Sequence, residues 1–349
     1  MRRAQGTDVE ALRERIDGVL DAFLGEQRDL AGGLAAEAAE PLDELRRVIG
    51  AGGKRLRPLF CYWGFRAGGG ADGEEILRAA ASLELLHTFA IIHDDVMDRS
   101  PLRRGQPATH KAMARGDEHL GVSSAILTGD LALALADSLF ATSGFSPADL
   151  LAGMGWYNRM RVEVVTGQYL DLSASRSPTI DPETARLIAS LKSGGYTVEK
   201  PLLIGAALAR ASSELTAALS AYGTLLGEAF QLRDDILGAF GDPVVTGKDA
   251  DGDLREGKRT LLVAHALEAA GPEERSYLAA HLGSADLTAE QAETIREIFR
   301  SSGALRSTQV LIDAHRKVAV SALQSVPGLP VEVARVLTEL ADLSVARAS

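Results

Sequence analysis

The stretch from Glu84 to Asp98, ELLHTFAIIHDDVMD, constrains this chain more than any other. Its apolar residues recur with a helical period, so it belongs among other helices, yet it ends in three acids. An α-helix turns once per ~3.6 residues and rises ~1.5 Å each. That puts Asp94 and Asp98 on one face a turn apart, with Asp95 beside them. Carboxylates packed so closely in apolar surroundings repel one another unless a hard cation joins them, and their oxygens suit Mg²⁺. A fold built round this stretch must stay polar at one end of an otherwise apolar interior.

A second acidic cluster, Gln231-Leu232-Arg233-Asp234-Asp235, lies near the end of another apolar-patterned segment in which Leu215, Leu219, Tyr222, Leu226 and Phe230 recur. Facing each other across the interior of a bundle, two such clusters would clamp a polyphosphate through metal. Positive charge is concentrated in two places, Lys54-Arg55-Leu56-Arg57 and Arg99 to Arg104. Gly52 and Gly53 precede the first run and let the backbone approach a ligand closely. Lys54 and Arg57, three apart, lie on one side of any helical turn that forms, as an anion grip.

The rest of the chain reads as helices. Leu12, Ile16, Val19, Leu20 and Phe23 mark an amphipathic first helix, and Pro41 to Ile49 a second. Pro101 is expected to stop the helix that carries the first acids. Gly121 to Phe140 is a long Ala-rich apolar helix, and Ser146-Pro147 and Asp181-Pro182 each pair a cap with a proline at a helix start. Lys192-Ser193-Gly194-Gly195-Tyr196 is expected to break a helix and leave backbone amides open to a ligand. No stretch alternates as a strand does. The fold class is therefore all-α, a single-domain antiparallel helix bundle around a central cavity, over residues 1–349 with 1–8 flexible.

Composition excludes several roles. The net charge of −11 argues against nucleic acid as a partner. Cys61 is the sole cysteine, so no intrachain disulfide forms and a reducing compartment fits. No segment reaches the ~18 uninterrupted apolar residues of a membrane span, and the N-terminal MRRAQGTDVEALRERID has no apolar leader core. A cytoplasmic protein without stable membrane insertion is expected.

Taken in order, the GGKRLRP run from Gly52, the HDDVMD acids, the Arg103-Arg104 pair, the GQYLD run from Gly167 and the QLRDD acids resemble the trans-isoprenyl diphosphate synthases of the polyprenyl synthetase family, and in particular the actinobacterial-type geranylgeranyl members. The resemblance implies a Mg²⁺-dependent condensation of isopentenyl diphosphate with an allylic diphosphate by a homodimer. By position it implies Asp94, Asp98 and Asp234 as metal ligands, supported by Asp95 and Asp235. It implies Arg103, Lys192 and Lys258 on the allylic diphosphate, with Gln168, Asp171, Ser193, Gln231 and Lys248 lining that site. Lys54, Arg57, His87 and Arg104 would hold isopentenyl diphosphate.

Chain length is expected to depend on what lies beneath the first acids. Ala90, four before Asp94, leaves room for a tail, while Phe89, five before and roughly 7.5 Å down the axis, narrows it, with Leu86 the next floor. An aromatic there, with no insertion between Asp95 and Asp98, resembles the geranylgeranyl (C20) pattern; farnesyl or longer products are the alternatives. One departure stands out: the second motif, usually DDxxD, ends here in Gly238. A non-catalytic subunit of a hetero-oligomeric synthase is the rival that glycine suggests. A His-Asp metal phosphohydrolase leaves the second acids unexplained, and a terpene cyclase leaves the Lys54 to Arg57 run without purpose.

Overall fold

The computed structural model describes residues 8–177, 179–241 and 251–346. Residues 1–7 of the stretch expected to be flexible, and Lys248, lie outside them. The fold is all-α. In chain order come α1 (Asp8–Leu34), α2 (Glu40–Gly50), α3 (Leu56–Ala67) and α4 (Glu74–Met97). After a minimal hairpin, β1 (Leu102–Arg103) with β2 (Gln106–Pro107), follow α5 (Thr109–Ala112), α6 (Glu118–Ala141) and α7 (Pro147–Ala174). Then α8 (Pro182–Ala189) runs through a π-helical segment (Ser190–Glu199) into α9 (Lys200–Leu208), before α10 (Ser213–Phe240). Among the described residues six further helices follow as far as Val345, beginning with α11 (Gly252–Glu256) and α12 (Leu261–Ala269).

Contacts gather the chain into two compact units, Met1–Met154 with Pro201–Ser212 and Gly155–Lys200 with Ser213–Ser349. In the first, α1 buries Leu12, Ile16, Leu20, Phe23 and Leu24 on one stripe. Burying one such aliphatic side chain contributes ~1.5–3 kcal/mol. The α3 helix is apolar all round and buried nearly all round, as an interior helix must be. It crosses α9 backbone to backbone: a Cβ on Gly64 would overlap the Leu202 carbonyl, and one on Gly205 the Cys61 carbonyl. Two helices, Glu74–Met97 and Glu118–Ala141, are long and apolar enough on average to cross a membrane, although charged residues interrupt both. Here α4 and α6 pack on each other.

In the second unit, Asp181 caps α8 through the Thr184 amide at 2.9 Å. The expected break at Gly194-Gly195 is absent. Those residues widen the helix into a π turn whose amides remain bonded, as in Lys200 N–H to the Gly195 carbonyl. The cause is packing. A Cβ on Gly194 would stand 2.7 Å from the Gly227 carbonyl carbon, and one on Gly223 2.6 Å from the Glu199 Cα, so the segment lies directly on α10. Tyr222, fully buried in α10, donates its hydroxyl to the Leu337 carbonyl at 2.6 Å.

Candidate active site

The first acids stand where α4 ends. Asp94 and Asp95 occupy its last turn, and Asp98 caps it, its amide donating to the Asp94 carbonyl at 2.8 Å. The helix stops at Met97, before Pro101 has any say. Arg99 turns left-handed (φ 54°) and the Ser100 amide closes onto the Asp95 carbonyl at 3.0 Å. The hairpin beyond returns Arg103 to the acids. Its Nε donates to both oxygens of buried Asp95, at 2.9 and 3.2 Å, and its Nη2 lies 3.5 Å from Asp94 Oδ2. Burial opposes the Arg103 charge, but Asp95, Asp94 and Asp98 outweigh it and raise its pKa above the ordinary value.

A basic group gathers around His87, also on α4. The α2 helix ends at Gly50, and the chain passes through Gly52 (φ 91°) and Gly53 (φ 150°) to Arg55, whose φ of 50° is also left-handed. Such a residue without glycine's freedom costs about 1–3 kcal/mol. Because α3 begins only at Leu56, Lys54 stands exposed on the loop and Arg57 on the first helical turn, instead of both on one turn. Arg104, at the hairpin tip with Gly105, donates to the Gly52 carbonyl. Both tip residues are left-handed, as a type I′ turn requires. Burial, then Arg57, Arg104, Arg103 and Arg55, hold the His87 ring well below its usual pKa and hence neutral. Burial and the same arginine neighbours lower the pKa of Arg104 itself, with Glu84 opposing them. A buried cation disfavoured by its neighbours in this way suits an anion.

On the lower part of α4, Leu86 is fully buried, while Phe89 and Ala90 are half-buried. Phe89 meets His93 edge-on, ring centroids 4.8 Å apart, and His93 Nε2 reaches the Ile126 carbonyl at 3.1 Å. A Cβ on Gly129 of α6 would overlap that imidazole. Ala90 stands under Asp94, whereas Phe89, roughly 140° round the helix from it, looks toward α6.

In the second unit, Asp234 and Asp235 lie within α10. Gln231 Nε2 donates to Asp235 Oδ1 at 2.6 Å. Burial, with Asp234, Asp253 and Asp171 adding and Gln231 opposing, pushes the Asp235 carboxyl up to about 8. Lys192, on the π segment, pairs with Asp171 of α7 at 2.6 Å, and Gln168 and Ser193 are half-buried on the same two elements. Gly167 makes this possible: a Cβ there would stand 2.5 Å from the Lys192 amide nitrogen.

A side chain at position 238 would have to displace Asp253, because a Cβ on Gly238 would overlap Asp253 Oδ2. Asp253, on α11, brings a carboxylate to that place and pairs through Oδ1 with Lys258 at 2.9 Å. Sequence reasoning passed over it. Its one signal was its standing five residues before Lys258, one among several acids between Gly241 and Gly257.

Among the described residues, no three His, Cys, Asp or Glu side chains stand close enough to hold a cation alone. The donor chemistry nevertheless fits a hard divalent ion. Asp94 with Asp98, and Asp234 beside Asp235, whose carboxyl is raised first by burial and then by its acidic neighbours, offer the oxygen donors such an ion takes.

Residues 40–300 match the model of the polyprenyl synthetase family. The chain belongs to that family. It is 37% identical to a geranylfarnesyl diphosphate synthase of Aeropyrum pernix, over 86% of this chain and 92% of that protein. It superposes, with a TM-score of 0.93 and 37% identity over 97% and 99% of the two chains, on a geranylgeranyl pyrophosphate synthase of Corynebacterium glutamicum complexed with isoprenyl diphosphate and magnesium. A polyprenyl synthase of Caulobacter crescentus, complexed with calcium and isoprenyl diphosphate, gives 0.82 and 30% over the whole of both chains. This family member is thus a prenyltransferase acting in isoprenoid synthesis, in a family that works with a divalent metal on isoprenyl diphosphates.

Proposed function

We propose that this synthase condenses isopentenyl diphosphate with an allylic diphosphate, with Mg²⁺, to give geranylgeranyl diphosphate. One observation carries the reading: within the first unit a crowd of arginines that calls for an anion, Arg104 with Arg55, Arg103 and Arg57, adjoins a crowd of carboxylates that calls for a cation, Asp95, Asp94 and Asp98 around Arg103. A metal-free diphosphate answers the first need, and a metal-bridged one the second.

Lys54, Arg57 and Arg104 would hold the isopentenyl diphosphate, with neutral His87 donating a hydrogen bond. Arg103, Lys192 and Lys258 would hold the allylic diphosphate, each already tied to a carboxylate that fixes its direction. Gln168, Asp171, Ser193 and Gln231 would line that site, and Lys248 completes the proposed set outside the described residues. Asp94, Asp98 and Asp234 would hold the cations, which when bound stabilise the charge growing on the departing diphosphate. The allylic C–O bond breaks, the isopentenyl double bond attacks C1 of the cation, and a proton leaves C2 of the added unit, the released diphosphate accepting it. No side chain acts as nucleophile.

Asp253 in the place left by Gly238 supports an active enzyme over a non-catalytic subunit. The half-buried Phe89 beside Ala90 supports a C20 product, with Leu86 as the next floor. The match over residues 40–300 runs through both units, which supports one catalytic domain. Exposed Ile126 and Leu127 on α6 support a homodimer, which light scattering would test, and buried Cys61 suits the cytoplasm.

The test is incubation with Mg²⁺, isopentenyl diphosphate and, in turn, dimethylallyl, geranyl and farnesyl diphosphate, followed by mass analysis of the dephosphorylated products. A C20 alcohol is expected. A shorter or longer alcohol keeps the reaction and moves the tunnel floor; no product with any primer overturns the reading.

A further inference from the structure

Arg55 lies between Lys54 and Arg57, but its side chain is 4% exposed and faces inward. Its Nε donates to Asp17 at 2.7 Å, its Nη1 to Glu84 at 2.7 Å and its Nη2 to the Ile49 carbonyl at 2.7 Å. One guanidinium thereby joins α1, the end of α2 and α4, while its own backbone sits in the left-handed region. Nη1 also lies 3.5 Å from the Gly52 carbonyl, which Arg104 holds from the other side. A Cβ on Gly53 would stand 3.1 Å from Arg104 Nη2 and 3.3 Å from Arg55 Nη1, so the loop is threaded between the two arginines. Glu84 is equally buried, at 4% side-chain exposure, and stands one turn before His87 on the same helix.

A buried arginine whose fork is engaged on several sides is not offered to a ligand. It fixes geometry instead, because a guanidinium bonds in set directions. We infer that Arg55 and its buried partner Glu84 are positioning residues for the isopentenyl diphosphate grip: they hold the Gly52-Gly53 loop in the one conformation that presents Lys54 and Arg57 beside His87. The inference rests on the assignment of Lys54, Arg57, His87 and Arg104 to that diphosphate. Glu84 touches no substrate in this account, and its influence passes through Arg55 and the loop.

The sign of one effect separates positioning from simple electrostatics. Glu84 is a negative charge close enough to Arg104 to favour that cation. By Coulomb's law alone, neutralising it strengthens the site for an anion. Loss of positioning weakens the site.

The experiment measures isopentenyl diphosphate binding by calorimetry and steady-state KM for both substrates, using the full chain. Glu84→Gln and Arg55→Lys are each expected to raise the isopentenyl diphosphate Kd and KM roughly tenfold, as misplacement of binding groups does. The allylic KM should stay within about twofold. Asp17→Asn is the gentler variant should those two fail to fold, since Asp17 is 44% exposed; it should give about a threefold rise. A lowered or unchanged isopentenyl diphosphate Kd in Glu84→Gln overturns the inference, and so does an equal rise for both substrates, which marks general loosening. Lys54→Ala is measured alongside. If it weakens isopentenyl diphosphate binding while Glu84→Gln does not, the positioning inference alone fails; if Lys54→Ala binds normally, the site assignment fails and takes the inference with it.

Discussion

The two acidic regions are held by different means. Around the first, the geometry depends on charge pairs and strained turns: Arg103 on Asp95, Arg104 on the Gly52 carbonyl, Arg55 on Glu84, with Arg55, Arg99 and Arg104 all left-handed. Around the second, it depends on the absence of side chains. Gly167, Gly194, Gly223 and Gly227 let α7, the π segment and α10 meet at backbone distance. Charge pairs can be weakened one at a time, so changes in the first region should separate one substrate from the other. A backbone contact has no such gradation, so one added methyl in the second moves an entire element.

The largest expected effect removes a ligand from the first region without touching its scaffold. Asp94→Ala should lower turnover by about 10²–10³-fold or more, with the far-ultraviolet circular dichroism unchanged. Near-normal rates would sink the metal role of Asp94.

Next comes the closest packing of the second region. Gly227→Ala places a Cβ against the Gly194 carbonyl, and overpacking of this kind costs about 1–3 kcal/mol. A lower melting temperature with both substrates' KM values disturbed together is expected; a stable variant that affects one substrate alone would erase the contrast between the regions.

Gly238→Asp sharpens the same point, because it restores the usual second motif on paper. The new side chain would occupy the position of the Asp253 carboxylate, so Asp253 should be driven from Lys258 and turnover should fall about tenfold. A faster enzyme would mean that the missing acid, and not the position of Asp253, limits the reaction.

The smallest effect on rate should come from Phe89→Ala. It trims the half-buried ring against His93 and should lengthen the product with little loss of turnover. An unchanged product distribution would place the floor elsewhere on the first unit's helices.

Much of this was legible in the residues. Asp94, Asp95 and Asp98 stand as helical spacing required, the proline-marked starts at Pro147 and Pro182 are real, and the α1 stripe buries at Leu12, Ile16, Leu20 and Phe23, with Val19 half-buried. These are local matters, settled by period and capping within a few residues. Two expectations fail for different reasons. Pro101 does not end α4, because the left-handed turn at Arg99 closes the helix first, and Gly194-Gly195 do not break their helix, because they pack directly on α10.

The sequence by itself determined the all-α class, the order of the motifs and the residue types able to meet metal and diphosphate, since these follow from composition and spacing along one chain. Only tertiary structure decided that Arg55 faces inward to Glu84, 29 residues away, and that Asp253 occupies the place of the acid Gly238 lacks. Both are contacts between elements, and spacing along a chain carries no record of which side chains packing will bring together.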